Sequence, residues 1–203
     1  VEAPLGRFRL REGSPTEAAM VGVPTKRNQV DETVASGVLG IVEVEVPVEP
    51  GCAAAVARFY RSVFGFETEC GEGTAYVLGG PVLGSQRIAF VETQDVPPYM
   101  GEHMCLYIDD LEGSFVRADQ RSLIYINSRF LFVDNVLSVE EAREAQAFRI
   151  IQARAEDGTW LFTEEHEIRS AQNRLCPIDF SLRETFGAAM PVADMVGQRR
   201  ALL

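Results

Sequence analysis

The strongest constraint on this chain is an order of elements that occurs twice. A strand, a helix and further strands follow one another, and the order returns about 65 residues on. In the first copy, Val42, Val44 and Val46 alternate with Glu43 and Glu45 within Gly40–Val48. That alternation predicts a strand with one apolar and one polar face. Pro50-Gly51 turns the chain. Ala53–Phe64 then carries Val56, Phe59, Tyr60 and Val63 at the spacing of an amphipathic helix, with Gly65 placed to cap its end. Strands are expected at Phe66–Cys70, Ala75–Leu78 and Arg87–Glu92, punctuated by Gly71-Glu72-Gly73 and Gly79-Gly80.

The second copy follows a Pro-containing connector, Asp95–Gly101. His103–Ile108 reads as its leading strand, and Asp110 opens a helix with Leu111, Phe115 and Ala118 on one face. Leu123–Ile126 reads as a strand. Ser138-x-x-Glu141 is a capping box that opens an inserted helix to near Ala147. Phe148–Ala153 and Trp160–Glu165 complete the copy around an Asp157-Gly158 turn. The two copies share almost no identity, so the repeat is one of architecture. It predicts an α+β fold: one domain, 37–170, made of two βαβββ units at 37–95 and 101–170. The flanks, 1–36 and 171–203, lack periodicity and carry prolines, and they read as extended N- and C-terminal arms, with a short helix at Ser181–Phe186.

Charge narrows the function. Acidic residues outnumber basic ones 30 to 19, for a net charge of −11, the opposite of a nucleic-acid-binding balance. No apolar run is long enough for a membrane-spanning helix, so a soluble protein is expected. The four cysteines, Cys52, Cys70, Cys105 and Cys176, have no zinc-knuckle or redox spacing and read as structural thiols, two of them in apolar patterns that suit buried free thiols. The chain begins at Val1, and Lys26 is its one lysine among the basic residues. A start without Met fits either a fragment or a mature form from which a targeting segment has been removed, the latter as in an imported protein of a plastid or mitochondrion.

Several strings in this order resemble one superfamily. VARFYRSVFGF (Val56–Phe66) is similar to a first-helix motif, and GEHMCLYIDDL (Gly101–Leu111) to the leading strand of a second unit. RIAFVET followed by PPY (Arg87–Tyr99) and LFTEEHEIRS (Leu161–Ser170) resemble a bacterial-type subgroup in which an LFELEHE-like string recurs. Together they resemble the vicinal oxygen chelate superfamily, which includes glyoxalases, bleomycin-resistance proteins and dioxygenases. The resemblance covers Gly37–Ser170.

It implies two curved sheets around a cavity, with a divalent metal (Fe, Mn, Ni, Co or Zn) held by His and Glu side chains from both units. Such a metal acts as a Lewis acid on substrate oxygens. Carried over residue by residue, the resemblance makes His103 the second-unit ligand and Glu92 the acidic position of the first unit. Glu43, or Glu45 on the same face, stands on the first strand. Thr163 occupies the usual carboxylate position of the last strand. Glu165 lies on its face two residues on, Glu164 points the other way beside Trp160 and Phe162, and His166 and Glu167 fall past the expected strand end as a surface cluster.

Three functions follow. The first is a protein whose metal site has decayed, serving as an accessory subunit that meets other subunits through its arms. The second is a divalent-metal-dependent lyase, isomerase, epimerase or extradiol-type dioxygenase using Glu92, His103 and Glu165 or Glu43. The third is a metal-free small-molecule binder with Tyr76, Tyr107 and Trp160 near its cavity. A homodimer is compatible with all three.

Overall fold

The computed structural model describes residues 2–3, 6–13, 37–79, 86–128 and 135–173, with side chains from residue 43. The elements are β1 (Glu2–Ala3), β2 (Gly6–Gly13), β3 (Gly37–Val48), α1 (Ala53–Phe64), β4 (Thr68–Gly71), β5 (Thr74–Leu78), β6 (Arg87–Glu92), β7 (His103–Ile108), α2 (Leu111–Asp119), α3 (Val139–Ala145), β8 (Ala147–Arg154) and β9 (Trp160–Ser170). The expected Ser181–Phe186 helix and the Gly80 side of the β5–β6 connection lie outside the described residues.

The first unit is β3, α1, β4, β5 and β6. Its strands stand in the order β3-β6-β5-β4, with β3 and β6 parallel and the other pairs antiparallel. The second unit repeats this as β7-β9-β8, with β7 and β9 parallel. Its expected strand at Leu123–Ile126 contracts to one antiparallel bridge, Ile124 to Ile150. The register shifts between Ile150 and Gln152, where Glu164 and Glu165 of β9 stand against Ile151 alone, and this interrupts the ladder near that bridge.

The N-terminal arm is extended where it is described, and it adds a strand that the sequence reading did not place. Gly6–Gly13 is a strand that pairs antiparallel with β3, in register Arg7 to Glu45 and Arg9 to Glu43. The sequence signal was an alternation of Arg7, Arg9 and Arg11 with Phe8 and Leu10, a period of two inside a Pro-rich segment.

One buried cluster joins the inner faces of both sheets to α1 and α2. From α1 it takes Val56, Phe59, Tyr60 and Val63, the predicted stripe, and Gly65 (φ +77) ends the helix in the left-handed conformation. Phe90 of β6 meets Phe162 of β9 at 5.1 Å between ring centroids, and Phe115 of α2 meets Phe148 of β8 at 5.4 Å. The two units therefore share their core.

The capping box of α3 forms as expected: Ser138 accepts from the Glu141 N–H, and the Glu141 carboxylate accepts from Ser138 N–H. Ser138→Ala should cost about 1 kcal/mol in urea unfolding. An unchanged midpoint would show that α3 is held by packing alone.

The three described cysteines, Cys52, Cys70 and Cys105, are free, as expected, but none is buried: Cys70 and Cys105 are exposed and Cys52 half-buried. Cys176 lies outside the described residues. No helix among the described residues is long and apolar enough to cross a membrane.

Candidate functional site

Strand parity sorts the candidate ligands. On β9, Phe162, Glu164, His166 and Ile168 share one face, and Thr163, Glu165, Glu167 and Arg169 the other. The first set packs into the core through Phe162, His166 and Ile168. The second set lies on the face opposite the helices. There, His103 stands in register with Glu165, and Cys105 with Glu167. The structure thus brings His103, Glu165 and Thr163 to one face, with His103 exposed and Glu165 buried.

Glu165 is already engaged. Arg149 Nη1 donates to its Oε1 at 2.7 Å, and Asn127 Nδ2 lies 3.0 and 2.9 Å from its two oxygens. Arg149 also meets Glu167 at 3.1 Å, and Arg169 pairs with Glu167. Arg149, Glu165 and Glu167 are each less than a tenth exposed. A guanidinium thus supplies the positive charge on this face. Thr163 is engaged too, its Oγ1 accepting from Trp160 Nε1 at 3.1 Å.

Glu92 does other work. It pairs in register with Val48 on the face that carries Phe90, the helix side of the first sheet. Its Oε1 accepts from the Ala53 N–H at 2.8 Å, at the start of α1. Hydrogen bonds from the Gly51 and Ala53 amides hold its carboxyl below the ordinary range. The negative charge complements the helix N-terminus, where the Cys52 side chain makes no cap bond.

Glu43 stands on the opposite face of β3, 3% exposed and paired with Arg87. Arg87 also lies over the Tyr76 ring, 4.4 Å from its centroid. Glu43 and Glu92 therefore face opposite sides of one sheet, while His103 and Glu165 belong to the other sheet. A divalent metal needs several oxygen or nitrogen donors converging on one point. These residues do not fit that requirement: one carboxylate caps a helix, and two others are paired with arginines.

His166 and Glu167 correct a sequence expectation. β9 runs on to Ser170, and both residues are buried, His166 completely. The Tyr60 hydroxyl lies 2.5 Å from His166 Nε2, and His166 Nδ1 lies 2.8 Å from the Glu164 carbonyl. Nδ1–H donating to the carbonyl leaves Nε2 to accept from Tyr60. Burial pushes the imidazole down to about 4. This bond ties α1 of the first unit to β9 of the second. Its sequence signal was the alternation Phe162, Glu164, His166, Ile168 continuing past Glu165.

Glu164 shares that inner face. Burial, then the charge of Glu102, pushes its carboxyl up to about 8. Its Oε1 is buried without a hydrogen-bond partner.

No family model and no curated protein matches the sequence. Solved structures that the chain resembles are glyoxalase family proteins and FosX fosfomycin resistance proteins, members of the vicinal oxygen chelate superfamily. They include lactoylglutathione lyase from Agrobacterium tumefaciens (15% identity, 64% of this chain and 92% of that one, TM-score 0.38). FosX from Listeria monocytogenes, solved with Mn(II) and dihydroxypropylphosphonic acid, gives 11% identity over 64% and 88%, TM-score 0.40. FosX from Mesorhizobium loti gives 13% over 64% and 89%, TM-score 0.36. The fold assignment rests on the strand order and pairing of the chain itself.

Proposed function

We propose that this chain is a glyoxalase-fold protein with a degenerate metal site, acting as an accessory or structural subunit of a larger assembly. The observation that carries this reading is the buried group of Arg149, Glu165, Glu167 and Asn127. It places a fixed cation on the carboxylate that a metal would need. Two further placements support it: Glu92 caps α1, and Glu43 pairs with Arg87 on the other sheet. Gly6–Gly13 is committed to the chain's own sheet, so partner contacts fall to 14–36 and 171–203. Their sequences lack an amphipathic period and suit extended recognition of other subunits. The setting in a plastid or mitochondrion belongs to the same reading.

The test is metal content. The purified chain, offered Fe, Mn, Ni, Co and Zn and then stripped of free metal, should retain far less than one equivalent. Affinity purification with the native flanks should recover the partner subunits, and deletion of 14–36 or 174–203 should release them.

A second reading is favoured by the register of His103 beside Glu165 on one face. It is a divalent-metal lyase, isomerase, epimerase or dioxygenase. One metal per chain, lost in His103→Ala, would replace the first reading by this one.

A further inference from the structure

A cavity of about 320 Å³ lies between the end of β3 and the start of β9, beneath the connector Val96–Tyr99. Its lining follows the start of β9 from Trp160 to Glu164, Thr163 included, and neither His103 nor Glu165 belongs to it. Val46, Val48 and Phe162 give it apolar walls. Glu164 and Glu102 supply acidic groups, Glu49 stands on its lining, and no Lys, Arg or His lines it.

We propose that this cavity binds a small organic cation, a primary or secondary amine on an apolar body, whose ammonium group is held by Glu164 and Glu102. This goes beyond the accessory role and does not require a metal at His103 or Glu165, neither of which lines the cavity.

The argument starts from an unpaired group. Glu164 is 4% exposed, yet its Oε1 has no hydrogen-bond partner. Leaving a buried polar atom unpaired is costly, and native folds rarely do so without a use for it. The chemistry of the lining then selects the partner. An anionic ligand would meet Glu164, Glu102 and Glu49. A neutral apolar ligand would fill the cavity but leave Oε1 unpaired. An ammonium group supplies several N–H donors and the positive charge that two facing carboxyls lack. Glu102 also accepts from the Met100 N–H at 2.8 Å, which fixes its carboxylate at the end of the connector. The apolar walls take an organic body and favour it over a bare metal ion. The volume is at the small end of the range of about 300–1,000 Å³ for ligand pockets, which suits a single-ring or short-chain amine.

Trp160, the one tryptophan of the sequence, lines the cavity and reports on it. The full chain is titrated with phenethylamine, and in parallel with 2-phenylethanol and 3-phenylpropionate, while Trp160 emission and thermal unfolding are followed. The amine should give a saturable emission change at millimolar concentration or below and raise the melting temperature. The alcohol and the acid should do neither. Glu164→Gln, which keeps the side-chain shape, and Glu102→Gln, at the half-exposed rim, should each weaken amine binding by about tenfold or more. Should Glu164→Gln fail to fold, Glu102→Gln carries the test. No saturable response to the amine, equal binding by both variants and wild type, or equal binding of the alcohol would each overturn the proposal.

Discussion

Arg149→Met should destabilise the fold by about 3–5 kcal/mol, because it strips the counter-charge from two buried carboxylates at once. Arg149 is 7% exposed, and its two terminal nitrogens reach Glu165 at 2.7 Å and Glu167 at 3.1 Å. Asn127 remains on Glu165 and Arg169 on Glu167, but neither replaces a buried guanidinium that spans both. Met preserves the volume of the side chain, so the loss reports charge and hydrogen bonds more than packing. The triple variant Arg149→Met with Glu165→Gln and Glu167→Gln should recover most of the stability. The check is urea unfolding of all three proteins. A loss below about 1 kcal/mol in the single variant would mean that the carboxylates are neutralised by something else, and the metal-enzyme reading would gain by it.

Stability should also vary with pH in two opposed windows set by neighbours on β9. His166 is held neutral: burial lowers it from 6.5 to about 4. The unfolded chain takes up that proton first, so this contribution is complete above pH 6.5 and is lost as pH falls toward 4. Glu164 behaves in the reverse sense, raised by burial from 4.5 to about 8. Its contribution is complete below pH 4.5 and is lost as pH rises toward 8, because only the unfolded chain ionises there. Between 4.5 and 6.5 the two slopes cancel. Above 6.5 the Glu164 slope stands alone, worth about 2 kcal/mol by pH 8 at about 1.4 kcal/mol per unit. Glu164→Gln should abolish that alkaline decline and uncover the His166 decline between pH 6.5 and 4.5, which the Glu164 slope offsets in the wild type. Parallel curves for wild type and variant above pH 6.5 would refute the assignment of the slope to Glu164.

Much of the fold was legible because both units obey simple periods. The i, i+3, i+4, i+7 stripe of α1, the Ser138–Glu141 box and the parity of Thr163, Glu164 and Glu165 needed only local rules. What escaped was set by distant partners. β2 was hidden because its alternation is short and lies among prolines, and its pairing partner Gly37–Val48 comes only after a long segment. The strand at Leu123–Ile126 has suitable residues, yet only Ile124 pairs, next to the register shift between β8 and β9. The site was less legible than the fold. Residue type made Glu92 a candidate ligand, but facing decided its role: register with Val48 turns it to the helix side. Likewise Arg149, a basic residue in an apolar run, became meaningful only once Glu165 and Glu167 lay beside it. The subgroup string places Glu and Leu where this chain has Thr163 and Glu164. That exchange moves the acid from the outer face of β9 into the core, a change of one position that alternation converts into a change of side.

The shared core also bears on how the chain is made. In each unit the first strand pairs in parallel with the last, so a unit closes only when its final strand has been synthesised. The first closes once Glu92 has left the ribosome, but the α1 surface around Tyr60 and Phe64 waits for β9, which ends at Ser170. Throughout that interval a nascent half-molecule displays an aromatic patch with no cover. The first half therefore completes its packing only after β9 has been made.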